Sequence, residues 1–470
     1  MISLADNNHT CGSSLDRGAR DAAHVRKVEQ VVRQLKSYRG TRPLIFQKKG
    51  PAHQVPKRYG RDYQETVIDV RPLDAILDVD PVARTCQAEP GVTFRDLCRA
   101  TLRVGLVPLV VPELKTITLG GAVAGCSLES MSYKFGGFHD TCLEYEVVTA
   151  AGDVIRCAPE GEHRLLFQMM HGSFGTLGFV SRLTFKLVPA KPYVRVRYER
   201  YSSLSSFQAA IRERAADAAV DFIDGIIHSP SALVLCVGQF APSAPYTTRY
   251  DWTKVYYKST LTRTEDYLET LHYLFRYDRG VTNVNPKSFL GRLFFGRVLS
   301  SDLLLRLAKT FRAALPARPD VTLDVFIPFS NVPSFLDWYE RRIGFFPLWC
   351  VPYRRVHDYE WLAPAFYRDL KDDLFLDLAI YGLQQPEGRN YYKEIEDELL
   401  CVHGLKTLIS HNYYDEAAFW SIWNRDNYLT VKGLTDPRGV LGDLFLKTRT
   451  PERGPPVVRA RAVLPLQGLR

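Results

Sequence analysis

The chain has 470 residues, of which 46% are hydrophobic and 24% are charged. This composition excludes an intrinsically disordered chain, and the length exceeds that of one ordinary domain, so we expect two closely packed domains. The formal net charge of +9 favours anionic partners such as phosphate groups, acidic lipids or nucleic acid. A merely basic soluble protein is the alternative, and charge alone does not separate the two.

Nine cysteines are scattered along the chain without a C-x-x-C pair or a zinc-type spacing. The pattern indicates reduced thiols, a cytoplasmic protein and no metal site. The first residues lack the apolar segment of a signal peptide, and no run of about 18 apolar residues occurs, so we expect no transmembrane helix. The longest apolar runs, 105–112 and 232–240, predict strands.

The predicted elements begin after a polar and loosely ordered arm over residues 1–23. Apolar residues at helical spacing predict a helix over 24–38. A second helix is predicted over 93–104, because Thr93 suits an N-cap and Gly105 suits the end of a helix. Alternating short segments predict strands at 66–70, 75–79, 85–88, 143–149, 154–157 and 179–188.

The sequence changes character at residues 189–192, Pro-Ala-Lys-Pro, which predicts a domain boundary. Beyond this point lie longer α+β segments that are rich in Tyr, Trp and Phe. The end of the chain, 451–470, contains several prolines and arginines and is predicted to be weakly ordered.

Two glycine-rich stretches, 116–125 and 171–178, are candidates for binding a phosphate group. Glycine permits close backbone approach, and threonines before a short helix leave N–H groups that can hold a diphosphate. Neither stretch is a G-x-G-x-x-G that follows a strand, and the chain contains no Walker-type loop, no G-x-S-x-G elbow and no H-E-x-x-H motif. Tight turns are the alternative interpretation of each stretch taken alone.

The order of short motifs along the chain is more specific than either stretch. The motifs are Pro112-Glu113-Leu114, Gly120-Gly121, Glu129-Ser130, Lys134-Phe135-Gly136, Gly175-Thr176-Leu177-Gly178-Phe179 and Phe346-Pro347-Leu348-Trp349. With these motifs the chain, from about residue 24 to residue 430, resembles the vanillyl-alcohol-oxidase-type (PCMH) FAD-binding family and, within it, the Δ24-sterol reductases.

The resemblance implies an α+β fold with a two-subdomain PCMH-type FAD-binding domain over 24–190. It also implies a C-terminal α+β substrate, or cap, domain with an antiparallel sheet over 191–401, and a segment over 402–450 that returns to the flavin. FAD is the expected cofactor, held in an extended form between the subdomains. Because His53 is displaced from the position at which some relatives bond the flavin covalently, we expect non-covalent FAD.

The resemblance further implies which residues contact the cofactor. The loop around 120–125 is expected on the diphosphate side, and 172–178 along the adenosine and ribityl parts. The full set of expected cofactor-binding residues is Thr116, Thr118, Leu119, Gly120, Gly121, Gly125, Ser130, Gly172, Gly175, Thr176, Gly178 and Phe179.

Two residues of the C-terminal part are candidates for stabilising a reduced, anionic flavin by their charge. His411 lies in a predicted strand over 407–412 and stands where related decaprenylphosphoryl-ribose oxidases carry a lysine. Lys432 is the second candidate. A packed histidine and a solvated lysine are the structural alternatives.

Three further residues are candidates for catalysis. Tyr133 stands where the relatives carry a histidine, and Tyr133 together with Lys134 can donate a proton to the substrate or accept one. A tyrosine pKa of about 10 favours the role of acid. Glu113 can meet a substrate hydroxyl. The structural alternatives are an aromatic ring packed in a core and a carboxylate in a turn.

The resemblance implies an FAD-dependent oxidoreductase that reduces a carbon–carbon double bond. NADPH is the expected electron donor, and a sterol or similar isoprenoid lipid is the expected substrate. The basic, amphipathic stretch 292–315 suits peripheral contact with a membrane that carries such a lipid. A core helix followed by a loop is the alternative for this stretch.

Two other functions fit the same residues. The fold can act as an oxidase or dehydrogenase on an alcohol, a sugar or a polyprenyl-linked group. It can also persist as a non-catalytic, basic membrane-surface protein whose flavin site has decayed. No nucleic-acid-binding module is recognisable, so we expect no nucleic acid partner, and the sequence does not indicate an oligomeric state.

Overall fold

The computed structural model describes residues 14–50, 65–250, 254–278, 320–368 and 370–450. His53, the amphipathic stretch 292–315 and the tail 451–470 lie outside the described residues, so the predictions made for them stay predictions. Helices and largely antiparallel sheets occur side by side in the described chain, which confirms the predicted α+β fold class.

The helices of the described chain are mostly short. They are Ser14–Ser37, Phe94–Thr101, Leu119–Ala124, Ser132–Phe135, Arg164–Met169, Leu204–Ala216, Tyr256–Ser259, Thr270–Leu274, Val332–Arg342, Pro364–Arg368, Tyr391–Cys401, Glu416–Ile422, Arg425–Thr435 and Leu444–Thr448, with 3-10 turns at Leu102–Val104 and Phe138–Thr141.

The strands fall into three sheets. They are β1 (Leu44–Gln47), β2 (Thr66–Asp69), β3 (Ile76–Asp80), β4 (Thr85–Ala88), β5 (Leu106–Pro108), β6 (Cys142–Val148), β7 (Val154–Cys157), β8 (Phe179–Pro189), β9 (Tyr193–Tyr201), β10 (Phe222–Ser229), β11 (Ala232–Ala241), β12 (Glu265–Glu269), β13 (Val321–Pro328), β14 (Leu348–Arg354), β15 (Leu374–Leu383) and β16 (Leu405–Lys406).

The first half of the chain is built around a six-stranded antiparallel sheet in the order β3-β4-β8-β6-β7, with β5 pairing with β8. The parallel pair β1-β2 forms a small sheet of its own. The six strands predicted between residues 66 and 188 are present to within a residue at each end. The apolar run 105–112 forms only the three-residue strand β5, because Pro108 has no N–H with which to continue the ladder.

The N-terminal helix begins at Ser14, so residues 14–23 are helical and the prediction of a loose arm is wrong for them. His24 anchors this helix: its Nδ1 lies 3.0 Å from a Glu89 oxygen and its Nε2 lies 2.9 Å from a Glu146 oxygen. Arg17 pairs with Asp78 at 3.2 Å. Because these partners are distant in sequence, local polarity could not reveal them.

The helix predicted over 93–104 is present as Phe94–Thr101 followed by a 3-10 turn. Thr93 is its N-cap, since its hydroxyl oxygen accepts the N–H of Asp96 at 3.2 Å. Gly105 ends it in the left-handed conformation, with φ of 70°.

The second half forms an eight-stranded antiparallel sheet in the order β12-β9-β11-β10-β14-β15-β13-β16. Successive side chains on a strand point to opposite faces. One face packs against the helices Leu204–Ala216, Val332–Arg342 and Tyr391–Cys401. The other face shares one hydrophobic core with the first domain, in which Phe94 and Phe138 lie in the same cluster as Phe326. The two halves are therefore fixed against each other.

Two observations concern the whole described chain. Its cysteines are all free thiols. A search of its helices finds none that combines the length and the apolar character needed to cross a bilayer.

Candidate functional site

A cavity of about 440 Å³ lies between the first domain and the second sheet. Both glycine-rich stretches contribute to its wall, so the two segments face one continuous space. The C-terminal segment reaches the same space through Thr407, Ile409 and Lys447. Three distant parts of the chain therefore meet around one site that can hold a long ligand.

Glycine keeps the first wall of this cavity open beside a lysine. A Cβ added at Gly121 would lie 3.1 Å from Thr118 Oγ1 and 3.4 Å from Lys48 Nζ. At Gly120 the added Cβ would approach Pro90 Cβ to 2.6 Å, so this glycine is required by packing. The result is a surface of bare main chain with a cation next to it.

The second glycine stretch lacks side chains at two positions because its backbone conformation there requires glycine. Gly175 has φ of 72° and Gly178 has φ of 141°, and both values disfavour a side chain. Two non-glycine residues at the cavity are also left-handed, Cys126 with φ of 52° and Phe174 with φ of 49°. Such strain of about 1–3 kcal/mol per residue is concentrated at functional sites.

The positive charge at this wall comes from lysine side chains. The prediction that bare N–H groups at the helix start hold an anion is wrong for two of them. The N–H groups of Leu119 and Gly120 donate to the carbonyls of Val92 and Pro90, both at 3.0 Å. The tight packing that brings this helix close to the preceding turn therefore uses these donors internally.

Lys48 and Lys447 are the cations that line the cavity. Lys48 Nζ donates to Thr118 Oγ1 at 3.1 Å. Burial lowers the pKa of Lys447 to about 8, while Glu65 opposes the shift. An anion beside Lys447 would favour its charged form. These two lysines give the glycine wall the chemistry of a diphosphate site.

The opposite wall is a face of the second sheet. Asp324 and Phe326 alternate on β13, Asp377 and Tyr381 stand on β15, and Trp349 stands on β14. Because residues two apart on a strand share a face, all five side chains point at the cavity. This wall combines aromatic surface with two carboxyl groups.

A third carboxyl group, Glu113, completes an acidic cluster with Asp324 and Asp377. Burial raises the pKa of Glu113 to about 8, and the nearby charge of Asp324 adds to the shift. Burial also raises the pKa of Asp324 to about 6, against the hydrogen bond that it accepts from the Tyr381 hydroxyl. For Asp377 burial raises the pKa well above its ordinary value. The cluster therefore retains protons at neutral pH.

A second, narrower pocket of about 70 Å³ adjoins the cavity. It is lined mainly by aromatic and aliphatic side chains, including Tyr353, Trp361, Phe366, Trp420 and Trp423. The residues that line both spaces are Gly125, Cys126, Leu128, Ser173, Phe174, Phe326 and Thr407. An apolar ligand in the pocket would therefore lie directly beside a ligand in the cavity.

Several residues predicted to bind the cofactor line the cavity. These are Thr118, Gly120, Gly121, Gly125, Gly175, Gly178 and Phe179, together with the predicted catalytic residue Glu113.

Other predicted cofactor residues lie outside the cavity wall. Leu119 is fully buried in the core, and Gly172 lines the narrow pocket. The hydroxyl of Thr176 donates to the Ser173 carbonyl at 2.7 Å. The Ser130 carbonyl accepts the N–H of Ile223 at 2.8 Å. Thr116 is likewise not among the residues that line the cavity.

Tyr133 and Lys134 do not line the cavity, so the proton exchange predicted for them has no support from its wall and stays a prediction. The Tyr133 ring is 1% exposed and packs in the core beneath the second sheet. Its hydroxyl donates to the Val220 carbonyl at 2.7 Å, and Lys134 Nζ donates to the same oxygen. Burial raises the pKa of Tyr133 beyond its ordinary value. Both residues fix the first domain to the strand that follows Val220.

His411 and Lys432 also lie outside the cavity wall. The strand predicted over 407–412 is not formed, since the strand in this region is Leu405–Lys406, and His411 is buried with its Nδ1 3.1 Å from Thr450 Oγ1. Lys432 Nζ donates to the carbonyls of Thr176 and Gly442 and pairs with Asp436 at 2.7 Å. Each side chain is held by partners away from the cavity.

Five charged residues at the cavity were not among the predicted site residues: Lys48, Glu65, Asp324, Asp377 and Lys447. Lys48 begins a Lys-Lys-Gly sequence, whose adjacent charges and glycine are a local signal of an anion site. Asp324 and Asp377 are single acids inside otherwise apolar strands, a pattern that also indicates function. Lys447 carried no local signal, because only the fold brings it to this wall.

Comparisons with known proteins agree with this geometry. Residues 22–158 match the family model described as an FAD binding domain. The chain is 26% identical to the Delta(24)-sterol reductase of Homo sapiens over 79% of this chain and 75% of that protein. It is 23% identical to the Arabidopsis thaliana protein of the same name, over 92% and 85%. It is 24% identical to cytokinin dehydrogenase 6 of Oryza sativa subsp. japonica, over 76% and 72%.

The residues present fit a flavin dinucleotide. Bare main chain beside Lys48 and Lys447 suits a diphosphate, and the aromatic side chains of Phe326, Trp349 and Tyr381 suit a planar ring system. When bound, FAD supplies the hydride chemistry that no side chain offers. The chain therefore contains a PCMH-type FAD-binding domain and is similar to the Delta(24)-sterol reductases, and together these findings support an FAD-dependent oxidoreductase.

Proposed function

We propose that this protein reduces an isolated carbon–carbon double bond of a sterol or isoprenoid lipid, with electrons from NADPH that pass through non-covalently bound FAD. The observation that carries the proposal is the narrow aromatic pocket that adjoins the cavity. Its wall suits a slim hydrocarbon chain better than a sugar, because it offers a large apolar surface and few polar groups. The names of the relatives point to a double bond at position 24 of a sterol.

Within this proposal, Lys48, Thr118 and Gly121 hold the diphosphate of FAD. Phe326 and Trp349 border the ring system, and the pocket holds the end of the lipid chain, so that the reacting double bond lies in the cavity beside the ring system. Residues that line both spaces, such as Gly125 and Leu128, align the two ligands. Closing such a site with apolar side chains also excludes water from the reacting atoms.

Anaerobic spectroscopy tests the proposal. The purified protein should show a flavin spectrum, and heat denaturation should release the flavin into solution. NADPH should bleach this spectrum under nitrogen, and a sterol with a double bond at position 24 should restore it. The matched control is the same sterol with a saturated side chain, which should leave the bleached spectrum unchanged.

An alcohol dehydrogenase or oxidase is the second candidate function. The acidic cluster at the cavity supports it, since a carboxylate there can accept the proton of an alcohol. In that case an alcohol would bleach the flavin and NADPH would not, and the reductase proposal would be wrong.

A further inference from the structure

Three carboxyl groups that are far apart in sequence line the same cavity. Glu113 comes from a loop of the first domain, and Asp324 and Asp377 come from neighbouring strands of the second sheet. The Tyr381 hydroxyl donates to Asp324. The charge of Asp324 acts on both Glu113 and Asp377, and such mutual repulsion disfavours ionisation of the whole set, so the cluster holds protons that separate carboxyl groups would lose.

Asp377 has a carboxyl oxygen that is buried and makes no hydrogen bond within the described chain. Its side chain is 2% exposed, and its Oδ1 has no hydrogen-bond partner in the part of the chain that the structure describes. A buried polar atom without a partner costs about 1–3 kcal/mol. Because Asp377 lines the cavity, a ligand group is the natural partner for this atom.

Among the described residues, the charges that act most on Glu113 are those of other carboxylates, with Asp324 first. The other carboxylates whose charges act on it are Glu129 and Asp278. Glu129 pairs with Arg276 at 3.1 Å, and Asp278 pairs with Lys115 at 2.5 Å. Each of these two carboxylates therefore has a cation of its own. Burial and the charge of Asp324 together raise the pKa of Glu113 to about 8.

We propose that Glu113 is the proton donor of the reduction, and that Asp324 and Asp377 are positioning residues that keep its carboxyl group protonated. This inference rests on the proposed function. One carbon of the double bond gains a hydride that originates from the nicotinamide reductant, and the other carbon gains the Glu113 proton. The π bond breaks, two C–H bonds form, and Glu113 regains a proton from solvent.

Glu113→Gln tests the role, because the amide keeps the size of the side chain but cannot donate an acidic proton. Reduction of the double bond should fall by about 10²–10⁴-fold, the usual contribution of a general acid. Flavin content and bleaching by NADPH should stay near those of the natural protein. Glu340→Gln, an exposed carboxyl group on the helix Val332–Arg342, is the matched control and should change nothing.

Infrared spectroscopy of the flavin-free protein gives a readout that does not depend on turnover. At neutral pH, the band of protonated carboxyl groups should be smaller in Glu113→Gln than in the natural protein and unchanged in Glu340→Gln. An equal band in all three proteins, or normal reduction by Glu113→Gln, would overturn the inference.

Asp324→Asn provides a second variant. Removing this charge should lower the pKa of Glu113, so the loss of reduction at alkaline pH should begin at a lower pH than in the natural protein. An unchanged profile would count against the positioning role of Asp324. If the natural protein itself failed to reduce the double bond, the proposed function and the donor role would both fail. The infrared result would still report whether Glu113 is protonated.

Discussion

The two walls of the cavity are built by opposite means. The glycine wall presents main chain and two lysines, Lys48 and Lys447, to the ligand. The sheet wall presents aromatic rings and two buried acids, Asp324 and Asp377, which Glu113 joins from a loop. One wall is electropositive and bare, and the other is acidic and shaped by side chains.

This difference separates holding a cofactor from performing chemistry. A diphosphate needs close approach and positive charge, which short side chains and lysines provide. Proton transfer needs a group whose pKa lies near the working pH, which burial among other acids provides. The comparison predicts that changes to the glycine wall remove the flavin and that changes to the acidic wall alter chemistry while the flavin stays.

Gly121→Glu should have the largest effect and abolish flavin retention. The new side chain would start 3.1 Å from Thr118 Oγ1 and 3.4 Å from Lys48 Nζ, so an anion would take the place of the diphosphate. The ratio of flavin absorbance to protein absorbance measures the loss. Gly433→Glu is the matched control, because Gly433 is exposed and an added Cβ there meets nothing within 4 Å. Normal flavin content in Gly121→Glu would break the comparison.

The two walls should also respond oppositely to pH in the flavin-free protein. The pKa of Glu113 is raised from 4.5 to about 8, so the folded state binds more protons between these values and stability falls as pH rises. The pKa of Lys447 is lowered from 10.5 to about 8, so stability rises between pH 8 and 10.5. The contribution is about 5 kcal/mol for Glu113 and about 3 kcal/mol for Lys447.

Two variants separate the contributions of Glu113 and Lys447 to the dependence of stability on pH. The free energy of unfolding of Glu113→Gln, relative to the natural protein, should increase between pH 4.5 and 8. For Lys447→Met the relative stability should decrease between pH 8 and 10.5. Denaturant titrations at several pH values measure both free energies of unfolding. Glu340→Gln is the control, and its stability relative to the natural protein should not change with pH. Parallel curves for all of the variants would show that the walls do not differ in this way.

The fold was more predictable than the site. Strands such as β4 and β8 follow from alternation and glycine breaks, which are local signals. The glycine wall was predictable because its chemistry lies in two short stretches. The acidic wall was not, because strand register in the second sheet is what brings Asp324 and Asp377 together.

The candidates that lie outside the cavity show the same limit. Tyr133, His411 and Lys432 were chosen for their chemical type and their place in a resemblance. Their partners, among them the Val220 carbonyl and Thr450, come from distant segments. A single sequence does not contain the distances that decide whether a polar side chain faces a ligand or another part of the protein.

Tyr133→Phe should have the smallest effect, and it tests whether Tyr133 lies outside the catalytic site. The variant loses one hydrogen bond to Val220, while Lys134 still donates to the same carbonyl, so unfolding should become easier by only about 1 kcal/mol. Flavin content and reduction of the double bond should be unchanged. A large loss of turnover with intact flavin would place Tyr133 back in the chemistry.

The residues shared by the cavity and the narrow pocket have a thermodynamic consequence. Leu128 and Phe174 line both the cavity and the narrow pocket. A ligand that shifts either residue in one space therefore changes the surface that a second ligand meets in the other space. Any resulting change in affinity must be reciprocal: if FAD tightens lipid binding by some factor, lipid must tighten FAD binding by the same factor. Linkage of this kind would let the lipid chain itself stabilise the holoenzyme.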